Sequence, residues 1–176
     1  MPPPRLNRIV NWGHRMESSR YRVESVAEAV QAVDELMTAG LRKVDILSPE
    51  LDPALYDRLE VVDAVRQLAV TGGRRAEVRI LVRDGAEIAR RGHRLATLAQ
   101  QLTSAMEIRR LADEHADDDT AFVVVDGRAV IRWDAGSGYA ALVEPEGRAT
   151  ARRLQRSFTE RWERAEPDIE LRRLSL

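Results

Sequence analysis

Residues 119–133, DTAFVVVDGRAVIRW, constrain the fold more than any other stretch. Two short apolar runs flank Asp126-Gly127, and that dipeptide between β-rich segments is the strongest local signal for a hairpin. What precedes the hairpin alternates in type. Ser25 and Glu28 form a capping box, and Val26, Ala29, Val30, Val33, Leu36 and Met37 fall on one helical face that Gly40 ends. KVDIL (43–47) reads as a buried strand. Asp52 then caps a helix with Pro53 at its first position and Leu55, Leu59, Val62, Val65 and Leu68 inward. AEVRILV (76–82) is a second strand. One long helix follows, carrying Ile88, Leu95, Leu98, Ala99 and Leu102, and MEIRRL (106–111) is a third strand. After the hairpin come a strand at 138–144 and a helix over 148–165 with Ala151, Leu154, Phe158, Trp162 and Ala165 inward. This order predicts an α/β fold, a mixed β-sheet flanked by helices on both faces. Residues 1–22 open with three prolines and show no period, so they read as a flexible N-terminal arm with a short strand near LNRIVNW; residues 23–176 form the domain.

Composition limits the chemistry. The chain of 176 residues has no cysteine and a formal net charge of -1, so thiolate catalysis is excluded and bulk charge does not call for nucleic acid. No run approaches the roughly 20 apolar residues of a membrane span, and the N-terminus lacks a secretory core, so a cytoplasmic location is expected. Lys43 is the only lysine among 28 Lys and Arg. Arginine forks suit phosphate, but codon bias produces the same ratio.

Several clusters carry candidate chemistry. His115 lies in DEHADDD (113–119), where His115, Asp117 and Asp119 offer imidazole and oxygen ligands to a divalent metal; a solvated, self-repelling acidic loop is the simpler reading, and no cofactor is expected. Arg90, Arg91, His93 and Arg94 on the long helix could receive an anion. Ser48, Tyr56 and Arg83 follow the carboxyl ends of predicted strands, the edge where open α/β sheets bind ligands. Arg148, Arg152, Arg153, Arg156, Arg161 and Arg164 could track a nucleic-acid backbone, although the interspersed acids favour a solvated amphipathic helix. The final LRRLSL could dock as an edge strand on this domain or on a protein partner.

The element order, AFVVVDGRAVI and the closing Phe-x-x-x-Trp helix together resemble one lobe of the phospholipase D superfamily. That superfamily carries His-x-Lys-x-x-x-x-Asp into this strand, with His attacking phosphorus and Lys holding the phosphate. Aligned on Asp126, the present chain has Asp119 in place of the His and Ala121 in place of the Lys; Trp133 and Asp134 stand where Gly-Ser is common. A carboxylate there repels a phosphodiester and an alanine neutralises nothing. RRGHRLATLAQQL and RWERAEPDIELRRLSL are also similar to an uncharacterised bacterial domain family of this degenerate fold, sometimes fused to an acetyltransferase, whose acetyl-CoA loop is absent from these residues. The resemblance implies a non-catalytic binding or regulatory module and, since such lobes pair, a homodimer. The alternatives are a nucleic-acid-binding domain and a phosphodiester hydrolase rebuilt around His115 and Asp126.

Overall fold

The computed structural model describes residues 20–172; the expected strand near LNRIVNW lies outside them. Eight strands form one sheet: β1 (Tyr21–Val23), β2 (Lys43–Leu47), β3 (Glu77–Val82), β4 (Met106–Arg110), β5 (Ala121–Val125), β6 (Ala129–Trp133), β7 (Ala141–Glu144) and β8 (Glu166–Pro167). Their order is β1-β7-β6-β5-β2-β3-β4-β8. β2, β3 and β4 are parallel and every other pairing is antiparallel. The central parallel strands are covered on both faces, which is why they read as nearly continuous apolar runs.

The helices are α1 (Val26–Ala39), α2 (Pro53–Tyr56), α3 (Leu59–Gly72), α4 (Gly85–Arg91), α5 (Arg94–Gln101), α6 (Arg148–Arg164) and α7 (Ile169–Arg172). Strand alternation divides the core. Val44, Ile46, Val78, Ile80, Val123 and Ile131 join the larger cluster, to which α1, α3 and α5 contribute. Leu47, Leu81, Phe122, Val124 and Val130 point the other way, under Leu154, Phe158 and Trp162 of α6. Among the described residues, the helix whose arginines stood out in the sequence is therefore the one that covers this face of the sheet.

Local expectations hold where short-range chemistry decides. Ser25 and Glu28 form the capping box reciprocally, Asp52 caps Ala54 N–H, and Pro53 opens α2. In the hairpin, Asp126 and Gly127 both take positive φ (52° and 63°), and Arg128 N–H donates to Val125 O at 3.0 Å. Those two angles are the ones a tight hairpin turn needs, and Asp-Gly adopts them at low cost.

Other expectations are corrected. The helix after Asp52 is two helices hinged at Asp57 and Arg58, which leaves Leu59 exposed, and Val26 is exposed as well. The single long helix after Gly85 is also two, because Gly92 at φ 76° leaves the helical region and His93 caps a new start. The domain begins inside the segment assigned to the arm, since Tyr21 and Arg22 pair with Val143 and Leu142. Leu171 is buried in a helix and β8 pairs at the edge of β4, while residues 173–176 of the LRRLSL segment expected as an edge strand lie outside the described residues. Asp168 holds that helix by accepting from Glu170 and Leu171 N–H.

Candidate functional site

The carboxyl ends of β2 and β3 meet the start of β5 and the end of β6 around a cavity of about 210 Å³. Ser48, Tyr56, Arg83, Asp119 and Ala121, expected at this edge or at the degenerate motif, all line it, with Trp133 and Tyr139. Tyr56 is fully buried and meets Trp133 edge-on, ring centroids 6.5 Å apart. Burial pushes its phenol far above the usual range, so it is a neutral wall. Arg83 spans the opening. Its guanidinium donates to Glu50 Oε1 (3.1 Å), Asp118 O (3.2 Å) and Asp119 Oδ1 (2.6 Å). The Asp119 hydrogen bond, more than any other contact, raises the Arg83 pKa. Asp119 is thus an ion-pair partner of Arg83. Two donors at this pocket, Arg83 Nε and Trp133 Nε1, are buried without an acceptor among the described residues.

Asp126 does not join this site. It lies past the opposite end of β5, and five strand residues at about 3.3 Å each separate the two positions by roughly 17 Å. Its carboxylate accepts from the backbone N–H groups of Leu41 (2.8 Å), Arg42 (3.0 Å) and Lys43 (2.9 Å). A hydrolase using His115 and Asp126 together is corrected by this separation.

The helix break leaves Arg91, His93 and Arg94 beside one cavity of about 420 Å³ and Arg90 outside its lining. His93 is buried; its Nδ1 accepts from Leu95 N–H and its Nε2–H donates to Leu51 O, both at 3.1 Å. Burial lowers its pKa, and the neutral tautomer satisfies both nitrogens, since a proton on Nδ1 would oppose the Leu95 N–H. Arg90 pairs with Glu87, Arg91 donates to Glu50 O, and Arg94 meets Asp57.

The acidic run is not self-repelling. Asp113 pairs with Arg110, Glu114 with Arg164, Asp118 with Arg161 and Asp119 with Arg83. Among the described residues no group of three or more His, Asp and Glu side chains, His115, Asp117 and Asp119 included, converges as metal ligands. The run is a counter-charge for the C-terminal half of α6, which explains its place just ahead of the hairpin. Burial alone would raise the Asp118 carboxyl, but its bonds to Thr120 and Arg161 outweigh burial and hold it at about 2 against an ordinary 3.8. A depressed carboxyl stabilises the fold fully above the unfolded value, and that share is lost as pH falls from about 4 to 2. Arg161→Gln is expected to flatten this acid limb in urea midpoints taken across that window; an unchanged limb would show that Asp118 contributes little.

Sequence reasoning missed a second feature at the opposite end of β2 and β3. An open groove of about 1080 Å³ runs between α6 and the turn that Asp126 begins, lined by Arg42, Lys43, Arg128, Arg152 and Arg156 among others. Beneath it Asp45 and Arg79 form a buried pair at 2.8 Å, with the Arg79 guanidinium 4.9 Å from the Phe158 ring centroid. The α6 stripe was visible in the sequence. The other bank was not, because residues 42, 75 and 128 belong to three separate loops.

A parallel β2–β3–β4 core continued by the β5–β6 hairpin, with its pocket at the carboxyl edge, defines a phospholipase D-like α/β lobe. Nuc from Salmonella typhimurium, a phospholipase D family member, superposes with TM-score 0.56 and 13% identity over 85% of this chain and 97% of its own. NucT from Helicobacter pylori does so with TM-score 0.57 and 11% identity, over 85% and 98%. TrmBL2, an archaeal chromatin protein with a novel mode of DNA binding, gives TM-score 0.63 and 14% identity over 86% of this chain. The chain spans 55% of TrmBL2. By sequence the chain belongs to DUF7931, a family defined as a domain of unknown function, whose model matches residues 25–174. No curated protein matches it. Among the described residues no helix is long and apolar enough to cross a membrane.

Proposed function

We propose that this chain is a non-catalytic phospholipase D-like binding module. The observation that supports it most directly is the Asp119–Arg83 contact of 2.6 Å at the pocket where a nucleophile would be required. Phosphodiester attack needs a neutral nitrogen nucleophile and a cation for the phosphoryl oxygens. At the corresponding positions this chain offers a carboxylate and a methyl group. The cation that is present, Arg83, is held by Glu50 and Asp119, so its charge is already answered from within. Four carboxylates, Glu50, Asp52, Asp119 and Asp134, line a pocket with one arginine, a balance that disfavours an incoming phosphate. TrmBL2 binds DNA, but at 14% identity the likeness supports a shared fold, and the partner of the present chain has to be argued from its own surface.

Bis(p-nitrophenyl) phosphate is expected to be hydrolysed no faster with the protein than in buffer, with or without divalent metal. Turnover above buffer that disappears in Asp119→Ala or His115→Ala would overturn the reading and restore an active site at this edge.

A further inference from the structure

The groove at the opposite edge carries charge the fold does not use. Eight arginine and lysine side chains line it against three carboxylates, in a chain whose formal net charge is -1. The surrounding surface is therefore net acidic, and the cationic excess is concentrated here. One of the three carboxylates, Asp126, is held by three backbone N–H groups and makes no ion pair with the groove's arginines. Lys43 pairs with Glu77, Arg79 with Asp45, and Arg128 with Glu146. Arg42, Arg75, Arg152 and Arg156 are exposed and have no ion-pair partner among the described residues. Elsewhere on the surface Arg90, Arg94 and Arg164 are paired, while Arg66, Arg74, Arg91, Arg132 and Arg153 are exposed without an ion pair among the described residues, so what distinguishes the groove is that its unpaired arginines converge on one concave surface.

These four groups sit on two banks, with Arg148, which contacts Glu146 at 3.9 Å, extending the helical one. Arg148, Arg152 and Arg156 are spaced i, i+4, i+8 along the N-terminal half of α6, about 6 Å apart along the axis. Arg42 and Arg75 stand across from them on the loops leading into β2 and β3. A linear array of phosphates fits between two such banks, and planar forks hold phosphate oxygens in pairs.

The rest of the lining separates polyanions. Among the described residues no aromatic side chain lines the groove, so they offer no stacking platform of the kind on which single-stranded bases are held. Leu41 is its only large apolar residue, too little for the buried apolar centre of a protein interface or for insertion into a bilayer. What remains is recognition of a regular backbone by charge and shape.

We infer that the groove between α6 and the β5–β6 turn, with Arg42, Arg75, Arg152 and Arg156 as its contacts, binds the sugar–phosphate backbone of a double-stranded nucleic acid without reading its sequence. This goes beyond the reading above by naming a partner, and it rests on that reading only in treating the chain as a binder. Phosphodiester turnover would overturn the former and leave the groove's role standing.

The test is fluorescence anisotropy of a short labelled DNA duplex titrated with the full chain. Four phosphate contacts predict a slope of about -3.6 for log K against log salt, hence on the order of a hundredfold weakening from about 50 to 200 mM. Arg152→Glu/Arg156→Glu is expected to lose about tenfold or more in affinity. Arg66→Glu/Arg90→Glu, with the same charge change outside the groove, is expected to stay within about threefold of wild type. Unchanged thermal midpoints verify folding, and Arg42→Glu/Arg75→Glu on the other bank repeats the test should the helix variant unfold. Absence of duplex binding at low salt, equal loss in the control pair, tighter binding of a single strand, or equal competition by poly-glutamate or anionic vesicles would each overturn the inference.

Discussion

Asp45→Ala is expected to destabilise the fold by about 3–5 kcal/mol, the cost of stranding a buried guanidinium. Asp45 is completely buried in the middle of β2, directly beside Arg79 on β3, and it also accepts from Gln155 of α6 at 3.2 Å. Arg79 is only 8% exposed at the floor of the groove, and its guanidinium lies under Phe158 and Trp162, 4.9 and 5.4 Å from their ring centroids. Removing both charges should behave differently. Asp45→Leu/Arg79→Met replaces the pair with apolar volume, and such exchanges are often neutral or stabilising. Urea unfolding of both variants checks the argument. A single substitution costing less than about 1 kcal/mol would show that water reaches Arg79 and that the pair is not the anchor of α6.

Asp126→Ala ranks next, at about 2–4 kcal/mol, because one carboxylate closes three backbone donors that otherwise face each other unpaired. Asp126→Asn should cost less, since the amide oxygen still serves Arg42 and Lys43 while its NH2 group confronts the Leu41 N–H. Both variants should also weaken duplex binding, because the segment Asp126 holds presents Arg42 to the groove. The stability order is read from denaturant midpoints. An asparagine variant as unstable as alanine would mean that the turn conformation, rather than the acceptor, is what Asp126 supplies. At φ 52° the residue does favour Asp, Asn or Gly, so Asp126→Gly separates the two contributions.

These two carboxylates show where sequence reasoning reached and where it stopped. Asp126 was recognisable twice, as the first residue of an Asp-Gly turn and as the aspartate of a degenerate motif. Grouping it with Asp119 in one site was the error, since a strand places its two ends far apart however short the spacing in sequence. Asp45 drew no attention inside KVDIL, because a single acid in an apolar strand reads as a solvent-facing alternation, and only the pairing of β2 with β3 brings Arg79 against it. The acidic run was visible as charge but misread as self-repulsion, for its arginine partners lie 36 to 50 residues away in two of the contacts, Asp119 with Arg83 and Glu114 with Arg164.

Turns, caps and helical stripes were determined by the sequence alone. The Asp-Gly hairpin, the Ser25–Glu28 box and the Asp52-Pro53 start are made by residues within four positions of one another, and their energetics are complete within that distance. The carboxyl-edge pocket was also legible, because the rule that places it needs only the strand ends. The break at Gly92 was present as a residue but not as a conformation: the apolar period runs through it, and the buried contact of His93 with Leu51 O decides that the chain restarts there. The loop bank of the groove needed the tertiary structure. Its charge comes from loops whose order in the chain carries no common signal, and a cationic surface exists only where the sheet brings their arginines to one edge and leaves them without acids to meet.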